Sequence, residues 1–228
     1  MRGLRSKIKD IEKFNFVLHD YDILVFTETW LCPEILSAEF RLDEFIIYRN
    51  DRNPNNSHLS RGGGVLIAIK KNYQSYQLNS SLDVEHLFIH VINSSTNLII
   101  SSTYFPPLSS VATFRSHCES VEQLELLYPN VKWLMFGDYN LPKVTWEISD
   151  LACCPIFKAT TTLRERVCAS ILADTLSFLN LTQINQIVNE NNSLLDLIFS
   201  EAGSHSVSFA PDAIVSADTY HPPLILCL

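Results

Sequence analysis

Asp138 and Asn140 stand two positions apart at the end of the run Trp133-Leu-Met-Phe-Gly-Asp-Tyr-Asn140. In extended backbone such residues point the same way, so one carboxylate and one amide converge on a single spot. A carboxylate can take a proton from water, and an amide beside it can hold an anionic oxygen or a metal-bound water. That pairing suits a hydrolase. By itself it is also a common turn, because Gly, Asp and Asn favour turns for local hydrogen-bonding reasons. Other strand ends carry polar residues that a core strand does not need. Glu28 follows Ile23-Leu-Val-Phe-Thr27, and Tyr104 follows Ile99-Ile-Ser-Ser-Thr103. Asp196 lies inside Ser193-Leu-Leu-Asp-Leu-Ile-Phe199, and His221 follows Asp218-Thr-Tyr220. Asp196 is the hardest to dismiss, since a carboxylate in an apolar strand is expensive unless paired or hydrogen-bonded. Singly, each has an ordinary explanation: Glu28 as a helix-start acid, Tyr104 as a packing residue, His221 as a satisfied histidine. Their joint pattern is what points to chemistry.

The elements that must position these residues can be read from periodicity. Leu4, Ile8, Ile11 and Phe14 recur at helical spacing, which predicts an amphipathic helix over residues 4–19. Short apolar runs predict strands over residues 22–27, 45–48, 65–69, 98–104, 131–137 and 194–199, with a final strand over 222–228. Leu87, Ile89 and Val91 alternate with His86 and His90, a strand with one more polar face. Residues 50–60 are rich in Asn, Asp, Pro and Ser and read as a long loop. Val111 to Leu124 reads as a second helix, capped by Ser109-Ser110, and Val167 to Leu179 as a third. Helices punctuate the strands without strict alternation. Two packed sheets with helices outside are therefore expected rather than a doubly wound parallel sheet.

The chain of 228 residues is 46% hydrophobic and 18% charged, enough apolar material for a sizeable core. No segment approaches the about 18 uninterrupted apolar residues of a membrane span, and the charged start Met1-Arg-Gly-Leu-Arg-Ser-Lys7 has no signal-peptide core. An intracellular protein is expected, so the Asn-x-Ser/Thr matches at Asn55, Asn79, Asn93, Asn180 and Asn191 are chance. The six cysteines form no Cys-x-x-Cys and read as reduced structural thiols. A net charge of −8 argues against general electrostatic binding of DNA. It leaves room for a nuclease with a local basic patch, and basic residues do cluster at Arg49, Arg52 and Arg61.

Taken in order, Arg2-Gly-Leu-Arg-Ser-Lys7, Thr27-Glu-Thr-Trp-Leu31, Arg61-Gly-Gly-Gly-Val65, Glu85-His-Leu-Phe88, Tyr104-Phe-Pro-Pro107, Gly137-Asp-Tyr-Asn-Leu-Pro142, Ser193-Leu-Leu-Asp-Leu-Ile198 and Asp218-Thr-Tyr-His-Pro-Pro-Leu224 resemble the endonuclease/exonuclease/phosphatase superfamily. More narrowly, they resemble the endonuclease domain of non-LTR retrotransposons. The resemblance implies an α+β fold, a four-layer α-β-β-α sandwich, over a single domain spanning residues 1–228. It implies a divalent cation, Mg²⁺ or Mn²⁺, held by Glu28, with Asp218 as a further candidate ligand. Asp138 would activate the attacking water beside Asn140. His221 and Tyr104 would contact the scissile phosphate, and Asp218 or Asp196 would hold the imidazole. Arg61, Asn50 and Arg52 would contact DNA. Target-site nicking of DNA by a monomer in the nucleus is implied, with a reverse transcriptase domain as partner in the parent polyprotein. An inactive remnant of such an enzyme, or a phosphoesterase acting on a small molecule, are the alternatives.

Against the family pattern, the strand that ends in a metal-supporting Asn would precede Arg2-Gly-Leu. An N-terminally truncated domain lacking its first strand is therefore expected. Thr219 and Tyr220 also separate Asp218 from His221, where the wider superfamily has Asp and His adjacent.

Overall fold

The computed structural model describes residues 3–7, 9, 20–149, 152–201, 205–210 and 219–227. In chain order its main elements are β1 (Ile23–Thr27), β2 (Phe45–Asn50), β3 (Val65–Lys70), β4 (Gln74–Gln77), β5 (Glu85–Ile92) and β6 (Asn97–Tyr104). Helix α1 (Val111–Leu127) leads to β7 (Lys132–Asp138), β8 (Val144–Ser149) and β9 (Ala152–Phe157). Helix α2 (Leu163–Phe178) leads to β10 (Leu181–Gln183), β11 (Asp196–Glu201), β12 (Ser206–Phe209) and β13 (Leu224–Cys227). One sheet has the order β1-β3-β2 and a larger one the order β10-β11-β7-β6-β5-β4. β8 with β9, and β12 with β13, form separate two-stranded pairs.

Hydrophobic burial stacks these elements in layers. Val65, Ile67 and Ile69 of β3 meet Leu87, Ile89, Ile100, Leu134 and Ile198 between the two sheets. The other face of the larger sheet sends Phe88, Ile99, Trp133, Met135 and Phe199 against Phe114, Cys118 and Val121 of α1 and Leu172 and Leu176 of α2. On the outer face of the small sheet, Leu24, Leu66 and Ala68 are covered by Leu4, Leu31 and Phe40. Leu4 and Phe40 belong to short 3₁₀ turns, Leu4–Lys7 and Ser37–Phe40. The α+β sandwich expected from the sequence is thus present. Of the helix expected over residues 4–19, the first turn is 3₁₀ and most of the remainder lies outside the described residues.

Local chemistry explains most boundaries. Ser110 Oγ accepts the Thr113 amide at 3.1 Å and starts α1. α2 begins a turn before the expected Val167, because Thr162-Leu-Arg-Glu165 is a capping box. The Glu165 carboxylate accepts the Thr162 amide at 2.9 Å, and Thr162 Oγ1 accepts the Glu165 amide at 3.2 Å. The polar face expected on β5 is buried. His86 and His117 bring their Nδ1 atoms within 3.1 Å inside the helix–sheet core, and burial pushes His86 down to about 4. His90 is satisfied by Tyr76 and Asn97, each at 2.7 Å.

Strand direction then fixes the working rim. β6 and β7 run parallel, with α1 as the crossover, so their C-terminal ends lie side by side. β5 and β11 run antiparallel to them, so their first residues arrive at the same rim. β6 and β7 approach very closely at Gly137, where a Cβ would lie 2.6 Å from the Thr103 carbonyl oxygen. The residue before Asp138 must therefore be bare backbone.

Candidate active site

One register row crosses the larger sheet at this rim. Glu85 is opposite Tyr104, Tyr104 is beside Asp138, and Asp138 is opposite Asp196. Residues paired in register project to the same face, so three acids and a phenol line one edge. Asp138 is only 1% exposed. The Asn140 amide donates to its Oδ1 at 3.1 Å, and Asn140 Nδ2 donates to its Oδ2 at 3.0 Å and to the Phe105 carbonyl at 2.8 Å. Asn140 takes a left-handed backbone, φ +46, which Asn tolerates better than most residues. This tight turn turns the amide back onto the carboxylate.

His221 completes the group. Its Nδ1 lies 3.0 and 3.2 Å from the Asp196 carboxylate oxygens, and its Nε2 lies 3.6 Å from Asp138 Oδ2. An ionised carboxylate only accepts, so Nδ1 carries the proton and Nε2 faces Asp138. Burial, with the Asp196 charge beside it, pushes the Asp138 carboxyl well above the usual carboxylate range. Burial alone would lower His221. Its hydrogen bond to Asp196, and the charges of Asp196 and Asp138, outweigh that and hold the imidazole above its ordinary value. A strengthened base and a readily protonated imidazole thus face one another.

Glu28 approaches from the small sheet. Its carboxylate accepts from Trp30 Nε1 and from the Tyr104 hydroxyl. Burial, then Glu28, push Tyr104 far upward, so it stays a hydrogen-bond donor. Burial is the main cause that raises Glu85, partly offset by the Gly64 amide and Arg52, and the Glu28 charge adds a small further push. Asp138, Asp196 and His221 themselves bring ligand atoms within 4.8 Å of one another. The donors fit a hard divalent ion, since carboxylate oxygens predominate.

No family model and no curated protein matches the sequence. Solved structures do match. The endonuclease domain of TRAS1, a telomere-specific non-LTR retrotransposon, is similar with TM-score 0.63 and 14% identity, over 98% of this chain and 91% of its own. An AP endonuclease from Archaeoglobus fulgidus gives 0.57 and 15%, over 100% and 96%. A mannosyl-6-phosphatase from Bacteroides thetaiotaomicron gives 0.54 and 12%, over 97% and 90%. The chain has the endonuclease/exonuclease/phosphatase fold.

Within this fold, the remaining residues read from the sequence fall in different places. Asp218 lies outside the described residues, and Asp196 is the acid found on His221. Asn50 is turned inward: its Nδ2 donates to the His86 carbonyl at 2.8 Å and its Oδ1 accepts from Asn56 at 3.2 Å. Arg52 is also inward. Its Nε donates to Glu85 at 2.8 Å, and its guanidinium lies 5.7 Å from the centre of the Tyr104 ring. Neither side chain reaches out for DNA. They tie the small sheet and its loop to β5 and β6, beneath Tyr104 and Glu28. Arg61 is exposed, with its guanidinium 5.4 Å over the Trp30 ring.

Glu85 enters the sequence pattern only through Glu85-His-Leu-Phe88, with no role attached to it. It is 1% exposed and bound by Arg52 and the Gly64 amide. Loss of Arg52 leaves this carboxylate buried without its cation. Arg52→Ala is therefore expected to cost about 3–5 kcal/mol of stability, read as a lower urea midpoint. The double variant Arg52→Met with Glu85→Gln is expected to recover part of that loss, because no unpaired charge remains.

Proposed function

We propose that this protein is a divalent-metal-dependent phosphodiesterase that cuts DNA, the endonuclease activity of a non-LTR retrotransposon. The observation that carries this reading is Asp138, buried between Asn140 and the His221–Asp196 pair at a strand-end rim. Asp138 takes a proton from water, whose oxygen attacks phosphorus in line as the P–O bond to the opposite sugar oxygen breaks; that oxygen leaves with its electron pair and takes a proton from solvent. The upward shift of Asp138 brings its basicity nearer neutrality, where general bases work best. Asn140 fixes both carboxylate oxygens and so aims the base. Protonated His221 offers Nε2–H to a phosphate oxygen, and Asp196 holds the ring in that orientation. Tyr104, whose one hydroxyl proton goes to Glu28 in the free site, would turn it to the same phosphate when substrate is bound. Glu28 would hold Mg²⁺ or Mn²⁺, which would supply positive charge to the phosphate as negative charge develops.

DNA is favoured over a small phosphoester by the open rim beside Glu28, which carries Trp30 and Arg61 rather than a closed sugar pocket. On this reading a reverse transcriptase is the functional partner, and the nick would prime it. Among the described residues, no helix is long and apolar enough to cross a membrane. The protein is expected to convert supercoiled plasmid to nicked circles in Mg²⁺ and to stop on chelation with EDTA. Undiminished nicking in EDTA would sink the metal-dependent reading. Hydrolysis of sugar phosphates with no plasmid nicking would favour the phosphatase instead.

A further inference from the structure

Beside Glu28 the rim opens into a cavity of about 600 Å³, lined in part by Arg5, Ser6, Trp30, Ser60 and Arg61. The volume lies within the range of sites that hold small ligands, roughly 300–1,000 Å³. Its lining is unusual for this chain. The net charge is −8, yet exposed arginines gather here. Trp133 and Trp146 are 3% and 8% exposed, whereas Trp30 is 37% exposed.

Trp30 is also held in place rather than left loose. Its amide donates to the Gly63 carbonyl at 2.8 Å, and its Nε1 donates to Glu28. Its backbone takes φ +55, strained for a bulky residue. The backbone at Gly62 packs at ordinary contact distance from the indole Nε1 edge. A fixed, partly exposed indole with the Arg61 guanidinium over its ring can stack a nucleobase once that arginine moves to the neighbouring phosphate. Among the described residues, the Arg5 ion pair is a long, solvated contact with Glu39, 3.8 Å with both side chains over one-third exposed, so it can switch to a phosphate at little cost.

We propose that this cavity is a nucleobase subsite: Trp30 stacks one unstacked base of the DNA strand next to the scissile phosphate, while Arg61 and Arg5 take flanking phosphates. The path of the strand rests on the phosphodiesterase reading above; the binding itself needs no turnover. The test uses the full chain in EDTA, with a short single-stranded oligonucleotide and a matching oligomer whose bases have been removed. Fluorescence anisotropy gives affinity, and tryptophan emission reports stacking on the exposed indole.

The base-containing oligomer is expected to bind tighter and to quench emission, and the abasic one to do neither. Trp30→Ala should weaken binding of the base-containing oligomer roughly 5- to 150-fold, while Trp30→Phe keeps most of the affinity and checks that the surface still folds. Arg61→Ala should weaken both oligomers alike and flatten the salt dependence. Equal binding of the two oligomers, or wild-type affinity in Trp30→Ala, would overturn the subsite. A protein that binds and quenches as expected but never nicks DNA would instead remove the phosphodiesterase reading and leave the subsite standing.

Discussion

Asp138→Asn is expected to lower the plasmid-nicking rate about 10²–10⁴-fold, the usual contribution of a general base, in a protein that folds at least as well as the wild type. The activity loss follows from chemistry. An amide cannot take the proton of the attacking water, and the Asn140 turn would still hold the side chain in the same place. The stability gain follows from the electrostatics of burial. Asp138 is 1% exposed and stands in register with Asp196, so its charged form is costly in the fold.

The sign can be worked out. An acid whose pKa rises on folding favours the native state at pH below its unfolded value. That advantage is lost as pH climbs through the folded value. Asp138 is raised, so its cost is felt at neutral and alkaline pH and vanishes in acid. The variant should therefore show an equal or higher melting temperature at neutral pH, with the difference closing in acid. One carboxylate oxygen that accepts from Asn140 becomes an NH₂ in the variant, which trims the gain. A variant that melts well below wild type at neutral pH would contradict the burial argument. A variant that nicks like wild type would remove Asp138 from its role.

Those residues that were legible in the sequence share one property: each is a polar group where an apolar strand does not need one. Asp196 in Leu194-Leu-Asp-Leu-Ile198 and Asp138 after Trp133-Leu-Met-Phe136 are expensive in a sheet. The structure brings both together with Asn140 and His221, and brings Tyr104 to Glu28. Glu85 carried no such signal. It opens a strand whose alternating histidines mimic a wet face, and its cation, Arg52, comes from a loop 33 residues earlier. Only the joining of the two sheets makes that pair, so local pattern could not show it. For the same reason the sequence assigns Arg52 and Asn50 to DNA contact, whereas both are turned inward. Strand periodicity was lost in β8 and β9, where Cys153-Cys154-Pro155 interrupts alternation, although Val144, Trp146 and Cys153 join the core. The layers were easier to read, because apolar runs of strand length separated by amphipathic helices leave few ways to bury both faces.

Asp196→Asn is expected to move the whole pH–activity profile towards acid and to lower its height. Asp196 acts on two groups at once. Its hydrogen bond and charge hold His221 above the ordinary imidazole value, and its charge raises Asp138 from across the sheet. Removing the charge lowers both. In the proposed mechanism Asp138 works as base and His221 as cation, so the acid limb is expected to follow the first and the alkaline limb the second. Because the three groups lie within 4.8 Å, the limbs report the cluster rather than single residues. An acidward displacement of both limbs of kcat/KM is therefore the signature of lost charge. A variant that merely loosened the rim would lower the rate at every pH and leave the limbs where they were. The height should also fall, since an amide accepts less strongly from Nδ1 and lets the ring turn away from the phosphate. Unmoved limbs with a normal melting temperature would show that Asp196 supports the strand rather than the imidazole.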